Sequence, residues 1–519
     1  MKDQRSRRSH EDLTNLIKDP AKRHILLSIR SITVNSMQKP RNWRIRTESD
    51  QPNRQEHEQK WLLFTDLLSR IPHLRSFTLQ GTDQLSIALL EALEKYHSEA
   101  HLHIQNWTRL EDDEDHNNPA ELALARSPNL RSLQVRLWDT TSHIDLRRVA
   151  LKRIVVLSPK LEVLDISEGS SALVARDITA EEIEEESRMR EKFWEDIIPS
   201  SNSIRSLSSR GANHMALLGD MMDMSKLESL QVNDGGELFS FRESHWHGEK
   251  FPNLTHLALD LGGMRMESVD EGVEIFLHTC FPLESIRIMD GAYRIPLSAI
   301  SAHGNTLRTL VLHNTEEAGS QSRCPISLRE VQGLSESCRL LEDITIDGEK
   351  SPAEGGLNEI LSALCAFPLL HTIRIYLPLG VAEEAARTPH MFLDEDEIRA
   401  EIKAHCTNPF NPIVDSCWLE NAWSLLRHEK KKNGSVPLKE LHVKIGEWER
   451  EMSPGYPAAW AVWEAANRRY FLTTPHERDD KPDDINVYIK GTKPYSNVDS
   501  HEIRRIREFV DLWDCGLPA

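Results

Sequence analysis

The sequence predicts an α/β repeat solenoid, a horseshoe with a parallel sheet on its concave side and helices on its convex side. Three observations predict it. An apolar phrase of the form L-x-x-L-x-L recurs along most of the 519 residues, its copies keep a period in the high twenties, and a turn signal precedes many of them. One such unit cannot bury its own apolar face, whereas stacked neighbours bury a continuous core.

The phrase appears as Leu74-Phe77-Leu79, Leu130-Leu133-Val135 and Leu161-Leu164-Ile166, then as Leu227-Leu230-Val232, Leu254-Leu257-Leu259 and Leu283-Ile286-Ile288. It continues as Leu307-Leu310-Leu312, Leu341-Ile344-Ile346 and Leu370-Ile373-Ile375, with a late copy at Leu438-Leu441-Val443. Degenerate copies sit at Leu102-Ile104 and at Ile204-Leu207, the latter with Ser209 where an apolar residue is expected. Leu130 to Leu161 is 31 residues, Leu227 to Leu254 is 27, and Leu254 to Leu283 and Leu341 to Leu370 are each 29. That is the period of a long, intracellular type of leucine-rich repeat, with one strand and one helix per unit. Proline in Ile71-Pro72-His73, Ser127-Pro128-Asn129, Ser158-Pro159-Lys160, Phe251-Pro252-Asn253, Phe281-Pro282 and Phe367-Pro368 ends the preceding helix and keeps its neighbour extended.

Between phrases, apolar residues return on a helix face, as in Leu85-Ile87-Leu89-Leu90-Leu93, Val273-Ile275-Phe276 and Leu357-Ile360-Leu361-Leu364. Near the N-terminus, Leu13, Leu16 and Ile17 fit one amphipathic turn, and the run from His24 to Val34 reads as a strand. Two segments break the period. The first, 167–203, carries an acidic helix opening at Thr179, whose hydroxyl is a fair N-cap and whose buried face would be Phe193, Trp194 and Ile197. The second, 377–437, holds the charge runs Asp394–Glu397 and Glu429–Gly434, which read as loops. Between those runs a helix carries Trp418, Leu419, Trp423, Leu425 and Leu426. Asn486–Ile489 reads as a last strand.

These breaks divide the chain into residues 1–60, a basic segment and first strand; 61–376, the repeat array; and 377–519, divergent last repeats with a Trp-rich end. Trp418, Trp423, Trp448, Trp460, Trp463 and Trp513 concentrate there, with Tyr470 and Phe471. Large aromatics suit a cap over the open end of a solenoid. They also suit a partner groove, because Trp and Tyr dominate interface hot spots.

Net charge is −19 and charged residues are 28%. That balance argues against nucleic acid, which demands a field of Lys and Arg. The stretch Lys2–Arg46 is the basic exception; Arg5, Arg7 and Arg8 read as a solvated tail or as a nuclear-import patch. The seven cysteines are irregularly spaced with no C-x-x-C, which fits a reducing compartment. No run approaches a membrane span and the charged N-terminus does not read as a signal peptide, so the expectation is a cytoplasmic or nuclear protein with no membrane partner.

Motifs for nucleotide, metalloprotease or serine-hydrolase chemistry are missing from the sequence. His245-Trp246-His247 could place two imidazoles on one strand face, but no Cys or carboxylate accompanies them at ligand spacing. Cys324 and Cys338 have no base beside them in sequence. The expectation is therefore no enzyme, with no catalytic, cofactor-binding or metal residue.

The segments SPNLRSLQVR, SPKLEVLDIS, FPNLTHLALD and RLLEDITIDG resemble the divergent repeats of fungal F-box/leucine-rich-repeat proteins, over roughly residues 10 to 446. The resemblance implies a substrate receptor of an SCF-type ubiquitin ligase, with the repeats holding substrate and an F-box docking the cullin-ligase adaptor. Residues 1–40 carry neither the Leu-Pro opening nor the apolar helices of an F-box. The expectation is an F-box lost or lying upstream of this start. The alternative is a free-standing leucine-rich-repeat scaffold or regulator unconnected to ubiquitin.

Register alone places the polar residues of each phrase on the concave face. Arg136, Arg210, Arg287, Arg374 and Tyr376 are the candidates there for contacting a protein partner, because Arg and Tyr are enriched at interface centres.

Overall fold

The computed structural model describes residues 12–35, 54–81, 84–107, 118–138, 146–169, 203–210, 218, 222–233, 248–262, 267–315, 325–348, 356–377, 416–445, 468–473 and 486–491. The chain divides into two compact units, Met1–Leu254 and Thr255–Ala519.

The first unit opens with helices α1 (12–18) and α2 (Arg23–Ser28) and strand β1 (Ser31–Asn35), then α3 (Arg54–Arg70) and β2 (Ser76–Gln80). It continues through α4 (Ile87–Tyr96), β3 (His101–Trp107), α5 (Pro119–Arg126), β4 (Leu130–Trp138), α6 (Leu146–Leu157) and β5 (Val163–Gly169), ending with β6 (Ser206–Arg210) and β7 (Ser229–Val232). Each of these strands pairs in parallel with the next.

The second unit runs β8 (His256–Asp260), α7 (Glu267–Thr279), β9 (Ser285–Met289), α8 (Leu297–Ser301), β10 (Thr309–His313), α9 (Leu328–Ser337) and β11 (Asp343–Asp347). Then follow α10 (Leu357–Leu364), β12 (Thr372–Leu377), α11 (Ser416–Lys432), β13 (Glu440–Ile445), β14 (Arg468–Thr473) and β15 (Asn486–Gly491). Strands β8 to β13 pair in parallel. Strands β13, β14 and β15 pair antiparallel. The fold is the α/β leucine-rich-repeat solenoid, its strands following sequence order within each unit.

The phrase sets this register. Its second and third apolar residues lie in line from strand to strand: Phe77 and Leu79 beside Leu102 and Ile104, or Ile344 and Ile346 beside Ile373 and Ile375. All eight are buried. Each such side chain contributes about 1.5–3 kcal/mol when fully withdrawn from water. Ser209 occupies the apolar place between Ile166 and Val232 and is fully buried there.

The turn signals also tie units together. Asn129 in Ser127-Pro128-Asn129 donates from Nδ2 to the carbonyls of His97 and Ala100, both at 2.8 Å. Asn253 repeats the contact with the Ser225 carbonyl at 2.6 Å. Helix ends are linked similarly, with His97 Nε2 on the Leu68 carbonyl at 2.9 Å and Ser158 Oγ on the Ala125 carbonyl at 3.1 Å.

Two sequence expectations are corrected. The run from His24 to Val34 is a helix to Ser28 followed by a strand from Ser31. The Asp19 side chain accepts from the Ala21 backbone N–H and Pro20 opens a 3-10 turn, Pro20–Lys22, that leads straight into the helix, a start that outweighs the β-rich appearance of the run. Glu429–Gly434 is not wholly a loop: α11 continues through Lys432, and Gly434 turns the chain at φ +65° just beyond the helix end. Lys430 faces inward, is 1% exposed, and donates to the Phe367 carbonyl at 3.1 Å.

The expected helix packing of Trp423 and Leu426 is present, both being buried. The acidic helix at Thr179, the run Asp394–Glu397, His245–His247, and Trp448, Trp460, Trp463 and Trp513 lie outside the described residues.

Candidate partner-binding face

Alternation along each strand separates the buried apolar residues from a second face, and register arranges that face in rows. In the first unit one row is Gln134, Asp165, Ser208 and Gln231. Gln134 Nε2 donates to Asp165 Oδ2 at 2.9 Å. The next row toward the strand ends is Arg136, Ser167 and Arg210. Both arginines are exposed. With neighbouring strands about 4.8 Å apart, their backbones stand about 10 Å from each other across Ser167.

In the second unit, Arg287 is exposed between Ala258 and Val311. Beyond Val311 the same row runs through Thr345 to Arg374 and His442. Arg374 is half-buried and committed to acids on both sides, with Asp343 at 2.8 Å and Glu440 at 3.8 Å. The structure thus brings Arg136 and Arg210 into one row and Arg287 and Arg374 into another, with Arg374 and Tyr376 on one strand. The first pair belongs to one unit and the other three residues to the second.

Tyr376 lies in an aromatic and polar cluster. Its ring stacks on His313 with centroids 4.0 Å apart and planes at 30°, Lys444 Nζ stands 5.4 Å from its centroid, and the His442 ring centre is 6.3 Å away. His313 Nδ1 is 2.6 Å from Asp347 Oδ1, while Asp347 Oδ2 accepts from the backbone N–H and Nδ2 of Asn314. Asn314 Oδ1 in turn accepts from the Gly291 N–H at 2.7 Å. Asp290, next along, accepts from the Thr315 backbone N–H and hydroxyl. Burial pushes its carboxyl up from the usual carboxylate range, and neighbouring Asp260 adds to the rise. This face is consequently not an evenly solvated sheet: His313, Thr345 and Asp347 point away from the apolar core by register, yet all three are buried.

A second polar pattern was not singled out from sequence. The residue after the first Leu of each phrase forms a row at the other strand ends, where charges alternate. Arg131 meets Glu162 at 3.6 Å and Arg205 meets Glu228 at 3.2 Å in the first unit, and Arg308 pairs with Glu342 in the second. Backbone bonds link the same positions, with the Glu162 N–H on the Arg131 carbonyl and the Arg205 N–H on that of Glu162. The signal was legible as R, E, R, E at one fixed place in successive phrases.

Among the described residues, no group of three or more His, Cys, Asp or Glu could hold a metal ion, and no helix is long and apolar enough to cross a membrane. The described thiols are poorly disposed to act as nucleophiles. Burial pushes Cys280 up to about 12 and Cys365 up to about 11, and raises Cys338 as well.

No protein-family model matches the chain, and no curated protein does. Among solved structures, the chain is similar to the leucine-rich repeat-containing protein LegL7 from Legionella pneumophila. The identity is 15% and the TM-score 0.28, over 66% of this chain and 94% of that one. The fold assignment stands on the strand register, independently of that likeness.

Proposed function

We propose that this chain is a non-enzymatic protein-interaction module that captures a protein partner on the outward face of its sheets. The observation that carries the reading is the row-by-row alignment of that face by parallel register. Such rows present side chains at fixed spacing on a backbone held by buried Leu, Ile and Val, so a partner meets a preorganised surface. Arg136, Arg210, Arg287, Arg374 and Tyr376 are the contacts of this reading, in keeping with the enrichment of Arg and Tyr at interface centres.

The test uses two face-blocking variants at exposed positions. Val163→Arg changes the face of the first unit, and Arg287→Glu changes that of the second. The tagged full chain, purified from its own cells, retains a stoichiometric protein partner, and at least one of the two variants loses it. Retention of every partner by both variants overturns the reading.

The resemblance to F-box/leucine-rich-repeat proteins extends this reading to a substrate receptor of an SCF-type ligase acting in cytoplasm or nucleus. Support for that extension is the repeat pattern alone, and the free-standing scaffold is its alternative. Stoichiometric recovery of the cullin-ligase adaptor in the same purification selects the receptor; recovery of partners without the adaptor selects the scaffold.

A further inference from the structure

We infer that the Arg136–Ser167–Arg210 row is a docking site for an extended acidic peptide segment of a partner protein, whose carboxylates pair with the two guanidinium groups. The inference rests on the interaction-module reading above and names the class of partner segment for its first unit.

Charge placement carries the argument. The chain as a whole has net charge −19, so exposed cations have acids available in abundance. At the opposite strand ends arginines use them: Arg131 and Arg205 each face a glutamate of the neighbouring strand. Among the described residues, Arg136 and Arg210 do not. Both are exposed, and neither makes an ion pair or side-chain hydrogen bond among the described residues. Register places Ser167 between them, a short side chain whose hydroxyl is turned to the Val135 carbonyl at 3.3 Å. The row behind supplies one carboxylate, Asp165, and that accepts from Gln134.

The result is two exposed arginines on backbones about 10 Å apart, with the short Ser167 between them. An extended chain advances about 3.3 Å per residue and turns every second side chain to the same face, so acidic side chains two or four residues apart, about 7 or 13 Å, bracket the backbone separation, and the long arginine stems take up the difference. Arginine's planar fork suits a carboxylate bidentately. A lysine-rich segment would be repelled at this row, whatever its attraction to the acidic remainder of the molecule.

The experiment is fluorescence anisotropy on the full chain with labelled oligo-glutamate, and with oligo-glutamine as the neutral comparison. The expected result is binding of oligo-glutamate but not oligo-glutamine, weakened about tenfold or more by Arg136→Glu with Arg210→Glu. Binding is restored in large part by Arg136→Lys with Arg210→Lys, and is retained by Arg126→Glu, an exposed change at the end of α5. Because both arginines are exposed, the reversed pair is expected to keep the wild-type circular dichroism. Absence of oligo-glutamate binding overturns the inference, as does equal weakening by Arg126→Glu or indifference to the reversed pair. If Val163→Arg or Arg287→Glu still abolishes capture of a protein partner in that case, the interaction-module reading stands and only the acidic class falls. If capture survives both blocking variants, the broader reading falls with it.

Discussion

His313 Nδ1 lies 2.6 Å from Asp347 Oδ1, and both residues are almost completely withdrawn from solvent on neighbouring strands. The second oxygen of Asp347 holds the backbone and side chain of Asn314, whose own oxygen holds the Gly291 N–H. One carboxylate therefore fixes the exits of β9, β10 and β11 and seats the His313 ring against Tyr376. Asp347→Ala is expected to destabilise the second unit by about 3 kcal/mol, since it leaves several buried donors without their acceptor. Hydrogen exchange resolved by peptide checks this: protection should fall in 309–315 and 343–347 and hold in the first unit. Unchanged protection of those strands would contradict the role.

Lys430 gives a stability signature at high pH. Burial holds its ammonium below the usual 10.5, so the folded state binds fewer protons than the unfolded chain between the depressed value and 10.5. The Lys430 contribution to stability should therefore rise with pH through that window, against the fall imposed by the raised thiols of Cys280, Cys338 and Cys365. The rise should vanish in Lys430→Met, which keeps an aliphatic stem and removes the charge. Urea midpoints of wild type and variant, compared as pH is raised toward 10.5, are the measurement; parallel curves would argue against a buried, strained ammonium.

The histidines act at the other end of the scale. Burial lowers His97, His103 and His303 below 6.5, the first two in one unit and His303 in the other. A lowered value means that the folded state resists protonation. Their contribution is fully present above pH 6.5 and is lost as pH falls from there through the folded-state values. His97→Gln should flatten the acid-side decline of the first unit, read from its urea midpoint between neutral and mildly acid pH, at the cost of some stability at neutral pH. An unaltered slope would assign the decline to the other histidines.

Capping offers a smaller, local test. Ser327 and Glu330 form a reciprocal capping box at the start of α9, each side chain bonded to the other's backbone N–H. Ser327→Ala should cost about 1 kcal/mol. A shift of the second unit's urea midpoint reads it, and no measurable shift would mean that packing of Val331 and Leu334 alone holds the helix.

Thiol chemistry should follow burial. Cys338 and Cys365 are fully buried and their thiols are raised, so iodoacetamide at mildly alkaline pH should leave both unmodified in the native protein and alkylate both in denaturant. Peptide mapping distinguishes the two states; rapid native alkylation of Cys365 would contradict its placement between Leu361 and Leu426.

The amino-acid pattern by itself determined the repeat, the strand positions from Phe77 to Val443 and which residues of each phrase go inward. Those are local consequences of an apolar period matched to a two-residue strand alternation, and neighbouring copies reinforce them. Even Ser209, which breaks the pattern, holds the place its spacing assigns. Helix starts and ends were less legible: the Asp19-Pro20 start was masked by the β-rich residues after it, and the lysines after Glu429 looked like a solvated loop. What only tertiary structure decided was the state of each polar residue on the outward face. The sequence places Arg136, Arg210, Arg287 and Arg374 alike, yet Arg374 is committed to Asp343 and Glu440 while Arg136 and Arg210 stand exposed beside Ser167. Whether a side chain meets acid, ring or water depends on the residue opposite it about thirty positions away, and only strand pairing brings those two together.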